Sequence, residues 1–159
     1  MSFEFKVIEN LPDFEIAKNL FREYANSLNF DLDFQNFEAE LNEIAVQYNK
    51  PFGGLILVID KSKKETIGCV GVRKFEKDIG ELKRMYIKDV YRGRGLGKAL
   101  LFQALSLSKE LGYKKLRLDT VGTMKSAIAL YQSVGFYEIE PYRYNPNEGV
   151  KYFEISINT

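Results

Sequence analysis

The segment from Glu81 to Thr120 constrains the fold most, because its pattern is strand, helix, strand. Glu81 to Ile87 is predicted to be a strand, a helix is predicted from about Gly95 to Leu111, and Lys115 to Thr120 alternates apolar and polar residues as a strand does. Two strands that a helical crossover joins lie parallel in one sheet. The chain therefore needs a sheet with at least one parallel pair and a helix packed on it.

The residues on either side of this unit add strands and helices. A strand through Phe3 and Val7 is followed by a helix from Pro12, and Asp33 is predicted to cap a second helix that reaches Ala45. The remaining elements are a hairpin, a late helix and two closing strands: Leu55 to Ile59 with Thr66 to Phe75, Ala127 to Val134, Phe136 to Glu140, and Val150 to Ile157. The predicted order is β-α-α-β-β-β-α-β-α-β-β, an α/β (α+β mixed) chain with helices on the faces of a mixed sheet. No repeat or linker divides residues 1–159, so we expect a single domain.

Composition argues against several classes of function. The net charge of +1 is unlike that of a nucleic-acid or membrane-surface binder, which usually has a strong basic excess. The chain has no histidine and one cysteine, Cys69, which removes Ser-His and Cys-His nucleophiles, an internal disulfide and a zinc site. The first residues do not form a signal peptide, and no run of about 20 apolar residues could span a membrane. We therefore expect a cytoplasmic protein with no bound metal.

Three alternate glycines, Gly93, Gly95 and Gly97, lie where the crossover helix begins. Each glycine inside a helix costs roughly 1 kcal/mol relative to alanine, so stability alone does not explain them. Because they lack side chains, backbone N–H groups there can approach a ligand to hydrogen-bond range. Cations cluster around them, at a helix end that is already positive: Lys88, Arg92, Arg94 and Lys98. The pattern predicts a polyphosphate-binding turn.

Two common phosphate-binding motifs do not fit this turn. The Walker motif requires glycine at the position of Arg92 and serine or threonine at that of Ala99. The Rossmann motif, begun at Gly93, requires glycine or alanine at the position of Lys98.

A third pattern does fit. Arg92-x-x-Gly95-x-Gly97 resembles the Arg/Gln-x-x-Gly-x-Gly/Ala signature of the GNAT family of N-acetyltransferases. Glu81 to Ile87 resembles the fourth strand of that family, and the segment from Ala127 to Phe136 resembles its late helix-to-strand motif. The predicted order of elements is also that of the family, so the resemblance covers nearly the whole chain. It implies the GNAT fold, a twisted, mixed and mostly antiparallel sheet of about seven strands flanked by four helices.

The resemblance implies an acyltransferase that moves an acetyl group from acetyl-CoA to an amine by direct attack in a ternary complex. In the family the fourth strand splays from the fifth, and the pantetheine arm lies in the gap. Backbone groups of Met85, Tyr86 and Ile87 would then bond the pantetheine amides. Backbone N–H groups of the glycine-rich turn would hold the pyrophosphate; the turn consists of Arg92, Gly93, Arg94, Gly95, Leu96, Gly97 and Lys98.

The resemblance also implies two catalytic residues. Tyr131 matches a tyrosine that donates a hydrogen bond or proton to the departing thiolate, and a phenol with pKa near 10 suits a thiolate with pKa near 8.5. Glu81 matches a glutamate that takes the proton of the amine, commonly through a water. Simpler interpretations make Tyr131 a core aromatic and Glu81 a solvent-facing strand residue. Tyr86 or a chain of waters could take the proton instead.

The acceptor is open at this stage. By resemblance the loop from Asn29 to Asp33 lines the acceptor side, and its two aspartates would attract a cationic amine. Arg84, Arg143 and Tyr144 would equally favour an acceptor that carries a carboxylate. A small amine, an amino acid and a peptide N-terminus all remain possible, as do a monomer and a homodimer. The alternative to an enzyme is a non-catalytic domain that binds or senses acyl-CoA.

Overall fold

The computed structural model describes residues 2–28 and 36–158. The predicted helix cap Asp33 and the predicted acceptor loop, Asn29 to Asp33, lie outside the described residues. The described residues form seven β-strands: β1 Phe3–Val7, β2 Gly54–Asp60, β3 Glu65–Glu76, β4 Ile79–Ile87, β5 Lys115–Val121, β6 Tyr137–Ile139 and β7 Val150–Ser156. They also form five α-helices: α1 Leu11–Ser27, α2 Phe37–Asn42, α3 Ile44–Gln47, α4 Leu96–Glu110 and α5 Lys125–Val134. Among these described helices, none has the length and apolar character that crossing a bilayer requires.

All seven described strands belong to one sheet, in the order β1-β2-β3-β4-β5-β7-β6. The pair β4–β5 is parallel and α4 forms its crossover, while the other neighbouring pairs are antiparallel. The predicted mixed, mostly antiparallel sheet and the predicted βαβ unit are therefore confirmed.

Helices cover both faces of the sheet, and β2 shows why. Successive side chains of a strand point to opposite faces. Leu55 and Leu57 belong to the core beneath α1, α2 and α3, whereas Ile56 and Val58 belong to the core beneath α4. A strand buried on both faces becomes a continuous apolar run, which is the pattern that predicted β2.

The second predicted helix differs from the structure. The chain forms two short helices, α2 and α3, instead of one continuous helix, which makes five described helices where four were expected. The N–H group of Glu43 is shared by the carbonyls of Ala39, Glu40 and Leu41, which tightens the last turn of α2. Glu43 then leaves the helical conformation, with φ −109° and ψ 16°.

A bulge in β4 and the end of the β4–β5 ladder together open the sheet. Cys69 pairs with Tyr86 and Gly71 with Lys83, so two β4 residues oppose a single residue of β3. Arg84 is one of the two and has φ 59°, which is unusual for a residue other than glycine. Pairing between β4 and β5 is confined to the stretch from Ile79 to Glu81, among the described residues. From Leu82 onwards the two strands separate.

Candidate active site

A cleft of about 820 Å³ lies where β4 and β5 separate, between the N-termini of α4 and α5. Its walls include Met85, Tyr86, Ile87, Arg92, Gly93, Gly95, Leu96 and Gly97, all of which were predicted to bind the cofactor. Two other predicted residues do not line it. The guanidinium of Arg94 lies over the ring of Tyr91, 5.1 Å from its centroid, and Lys98 is exposed on α4. Their roles, like those of the lining residues, remain predictions.

The glycines of the turn are required by its backbone. Gly93 has φ 80° and Gly95 has φ 78°, a left-handed conformation that costs other residues roughly 1–2 kcal/mol. A Cβ atom at either position would meet no described atom within 4 Å, so both glycines face open space in the cleft. A Cβ at Gly97 would lie 3.4 Å from Leu130 of α5, so this third glycine also lets the two helices approach.

Two helix N-termini point their positive ends at the cleft. Gly95 is the N-cap of α4 and Met124 that of α5, and at neither position does a described side chain cap the helix. The first N–H groups of a helix have no partner within it, so these are available to an anion. The α5 contribution, from Thr123, Lys125 and Ser126, was missed in the sequence. The sequence feature that could have indicated this contribution is the second strand-to-helix junction, after β5, because the ends of parallel strands meet at one edge of the sheet.

Arg92 is held at the edge of the cleft. Its Nε donates to the carbonyl of Ile87 at 3.0 Å, and its Nη1 lies 2.6 Å from Oδ1 of Asp89. The guanidinium also lies over the ring of Tyr86, 5.9 Å from the centroid. These contacts place a cation beside the glycine-rich turn while its side chain stays 56% exposed.

A smaller cavity of about 80 Å³ lies deeper in the gap between β4 and β5. It shares Tyr24, Met85, Met124 and Ala127 with the cleft, so the two spaces adjoin. Tyr131 lines this cavity and is 7% exposed. Burial raises the pKa of Tyr131 above its ordinary value, so the hydroxyl keeps its proton at neutral pH and can act as a donor.

Glu81 and Tyr131 are not brought together in this cavity. Glu81 lines a separate groove, and its side chain is 1% exposed, so the interpretation of a solvent-facing residue is wrong. Oε1 accepts from Nε of Arg73 at 3.2 Å, and Oε2 lies 2.6 Å from Nη2 of Arg143. Tyr142 donates a further hydrogen bond to Oε2 at 3.1 Å. The carboxylate therefore joins β3, β4 and the β6–β7 connection, a geometry that favours a structural role.

The residues that line the smaller cavity include two buried cations, Lys83 and Arg84. Arg84 donates to both oxygens of Glu40, at 2.6 and 3.2 Å, and the hydroxyl of Tyr48 donates to Glu40 at 2.7 Å. Although burial acts to raise it, the charge and hydrogen bonds of Arg84 lower the pKa of Glu40. Lys83 lies beside this pair, and burial together with the charge of Arg84 lowers the pKa of Lys83 to about 7.

Comparison with known proteins agrees with this fold. A sequence model of the acetyltransferase (GNAT) family matches residues 15–136. An uncharacterized N-acetyltransferase of Schizosaccharomyces pombe is 36% identical over 154 residues, which are 96% of this chain and 92% of that protein. A GNAT-family acetyltransferase from Staphylococcus aureus has the same fold, with TM-score 0.76 and 22% identity over 98% of this chain and 100% of the other. An acetyltransferase from Salmonella typhimurium, solved with its cofactor acetyl-CoA, gives TM-score 0.71 and 11% identity over 100% and 96% of the two chains.

Proposed function

This chain belongs to the acetyltransferase (GNAT) family, whose members use acetyl-CoA, and we propose that it transfers the acetyl group to an amine acceptor within a ternary complex. The observation that carries the proposal is the cleft between two helix N-termini, because it adjoins a smaller cavity that Tyr131 lines. In this proposal a long anionic cofactor binds along the cleft, and its thioester lies in the smaller cavity.

The residues of the cleft fit coenzyme A in three respects. Open space beside Gly93 and Gly95 admits a pyrophosphate to the backbone N–H groups of the turn. Beyond Glu81 the edge of β4 that faces β5 is not paired with any strand in the described part of the chain, so it can pair with pantetheine amides instead. The cleft volume of about 820 Å³ lies within the usual range for ligand pockets, about 300–1,000 Å³.

Tyr131 is proposed to act on the sulfur. As the amine nitrogen bonds to the acetyl carbon, the carbon–sulfur bond breaks and negative charge develops on sulfur. Proton transfer from a phenol of pKa near 10 to a thiolate of pKa near 8.5 is uphill by about 2 kcal/mol, and the raised pKa of Tyr131 adds to this. Tyr131 therefore acts mainly by donating a hydrogen bond to sulfur, and the thiolate gains the proton that the amine loses, through a base or water.

Turnover with a panel of amines tests the proposal, with the CoA thiol measured as it is released. Tyr131→Phe is expected to lower kcat by about 10²-fold, the usual effect of removing one hydrogen-bond donor to a developing negative charge, while acetyl-CoA binding by calorimetry stays unchanged. Tyr113→Phe is the matched control, because Tyr113 is buried like Tyr131 but lines neither of the two cavities, and its hydroxyl donates to the carbonyl of Phe52 instead. Tight acetyl-CoA binding without turnover on any amine would instead support a non-catalytic acyl-CoA-binding or sensor domain.

A further inference from the structure

A carboxylate lines the small cavity together with Tyr131, and it belongs to Asp119 of β5. The side chain of Asp119 is 5% exposed. Among the described residues, no other aspartate or glutamate lines this cavity. Glu81, which the family resemblance implied as the base, lines the separate groove instead. The space proposed for the thioester therefore contains a different carboxylate from the expected one.

Asp119 and Tyr131 reach the cavity from opposite faces of the sheet. Leu118 belongs to the same core as Tyr131, the one beneath α4. Successive side chains of a strand point to opposite faces, so Asp119, the next residue, lies on the face that α1, α2 and α3 cover. A donor to the departing sulfur and an acceptor for the amine proton can thus act on different sides of one thioester.

The two side chains are also close enough to interact electrostatically. Burial raises the pKa of Tyr131 most, and the charges of Tyr24 and Asp119 raise it further. Burial likewise raises the pKa of Tyr24, and Asp119 contributes to that shift as well. Tyr24, Asp119 and Tyr131 all line the small cavity, so the carboxylate acts across the space that the reacting groups would occupy.

The carboxylate of Asp119 can accept further hydrogen bonds. Oδ2 accepts from Nδ2 of Asn145 at 3.3 Å. Nζ of Lys83 lies 4.0 Å from Oδ1, an ion-pair distance that is beyond hydrogen-bond range. Within the described part of the chain, no group donates a hydrogen bond to Oδ1. An ionised carboxylate has about four acceptor sites, so Oδ1 is able to accept from an N–H group that enters the cavity.

We propose that Asp119 binds the acceptor amine in the cavity between β4 and β5 and takes its proton during the reaction. This inference rests on the proposed acetyltransferase function and identifies the base for it. The neutral amine donates an N–H hydrogen bond to Oδ1. Its lone pair then forms the bond to the acetyl carbon, and the electron pair of the carbon–sulfur bond leaves with sulfur. The nitrogen becomes positively charged and more acidic, its proton passes to Oδ1, and Asp119 releases that proton to the thiolate through water.

Asp119→Asn tests this role because it keeps the size of the side chain and an oxygen that can accept from Asn145, but it cannot take a proton. With folding verified by circular dichroism, kcat should fall by at least about 10²-fold. The Kd for acetyl-CoA should stay unchanged, since Asp119 does not line the cleft. Glu154→Gln is the matched control and should keep kcat, because Glu154 is a carboxylate with 6% exposure on the neighbouring strand β7 and lines neither cavity.

Chemical rescue separates proton transfer from a purely structural role beside Lys83. Asp119→Ala leaves room for a formate ion where the carboxylate was. Formate should raise kcat of Asp119→Ala saturably and at least about tenfold, which recovers part of the loss expected for a missing base. It should not raise kcat of Tyr131→Phe. Wild-type kcat in Asp119→Asn, or the absence of rescue in Asp119→Ala, would overturn the inference.

A binding experiment decides the inference apart from turnover. Wild type and Asp119→Asn, each saturated with CoA, are titrated by calorimetry with every amine of the panel. For at least one amine the Kd should be at least about tenfold higher in the variant, as the loss of a hydrogen bond to a charged group implies. If no amine binds wild type more tightly than Asp119→Asn, the inference is wrong even where amines are acetylated. If amines bind as expected but none is acetylated, the proposed acetyltransferase function fails while the amine-binding role of Asp119 stands.

Discussion

Two glycines of α4 offer a test that separates backbone strain from cofactor binding. Gly95 lies at the N-terminus of the helix with φ 78°, and Gly112 follows its C-terminus with φ 89°. A Cβ at either position would meet no described atom within 4 Å. Gly95 lines the cleft, whereas Gly112 lies at the opposite end of the helix. The two substitutions to alanine therefore impose the same strain in different places.

The magnitudes follow from the conformation and from the ligand. A left-handed alanine costs roughly 1–2 kcal/mol, and the reduced freedom of the unfolded chain returns about 0.4–1 kcal/mol. Both Gly95→Ala and Gly112→Ala should thus lose about 1 kcal/mol, or about 2–4 °C in Tm for a chain of this size. Only Gly95→Ala places a methyl group where the pyrophosphate would approach. Losing one or two charge-assisted hydrogen bonds, at about 1.5–3 kcal/mol each, should raise the Kd for acetyl-CoA at least about tenfold.

Calorimetric titration with acetyl-CoA and thermal unfolding of wild type and both variants provide the assay. Equal losses of Tm, with weakened binding only in Gly95→Ala, are expected. Wild-type affinity in Gly95→Ala would refute the assignment of this turn to phosphate binding. Equal loss of affinity in Gly112→Ala would show that the loss comes from backbone strain and not from a methyl group that blocks the pyrophosphate.

Three further predictions concern the ion pairs and hydrogen bonds around the site. Glu40→Ala should cost about 3–5 kcal/mol of unfolding free energy in urea because it removes one side of a buried ion pair, the one with Arg84. Glu15→Ala, which breaks a surface pair with Lys18, should cost less than about 1 kcal/mol. Equal costs of the two substitutions would contradict this. Glu81→Gln should lower Tm because it removes the charge that pairs with Arg73 and Arg143, but it should leave the pH profile of kcat/KM unchanged. If the acidic limb of that profile disappears in the variant, Glu81 is instead the base. Hydrogen bonds from Tyr91 and Ser62 lower the pKa of Asp60 from 3.8 to about 2, so the unfolded chain binds more protons and stability should fall as the pH drops through this window. Asp60→Asn should reduce that fall, with the remainder due to other carboxylates of lowered pKa such as Glu40, and an unchanged pH dependence of unfolding would refute the prediction.

Much of the fold follows from local sequence patterns. The apolar run of β2 and the helical spacing of Leu100, Ala104, Leu107 and Leu111 each suffice to predict an element packed on the core. Most of these residues are buried, and Ile59 and Leu111, at the ends of the two patterns, are half-buried. The glycine-rich turn was also predictable, because no other residue type adopts its backbone at low cost. These features depend on a few neighbouring residues.

The rest depends on contacts between distant residues. Arginine has no local preference for the left-handed conformation, and Arg84 adopts it in a bulge where its side chain pairs with Glu40, 44 positions away. Glu81 was predicted to be a base because its position on β4 resembles that of the family. The sequence pattern does not show that Arg73 and Arg143 both reach its carboxylate. The break between α2 and α3 likewise depends on hydrogen-bond geometry at Glu43.

A crystal structure of the protein with acetyl-CoA tests the proposed site most directly. The predicted result is a pyrophosphate within hydrogen-bond distance of backbone N–H groups between Arg92 and Lys98, with pantetheine along β4 and sulfur beside Tyr131. A cofactor bound elsewhere, or one whose thioester lies outside the gap between β4 and β5, would contradict it.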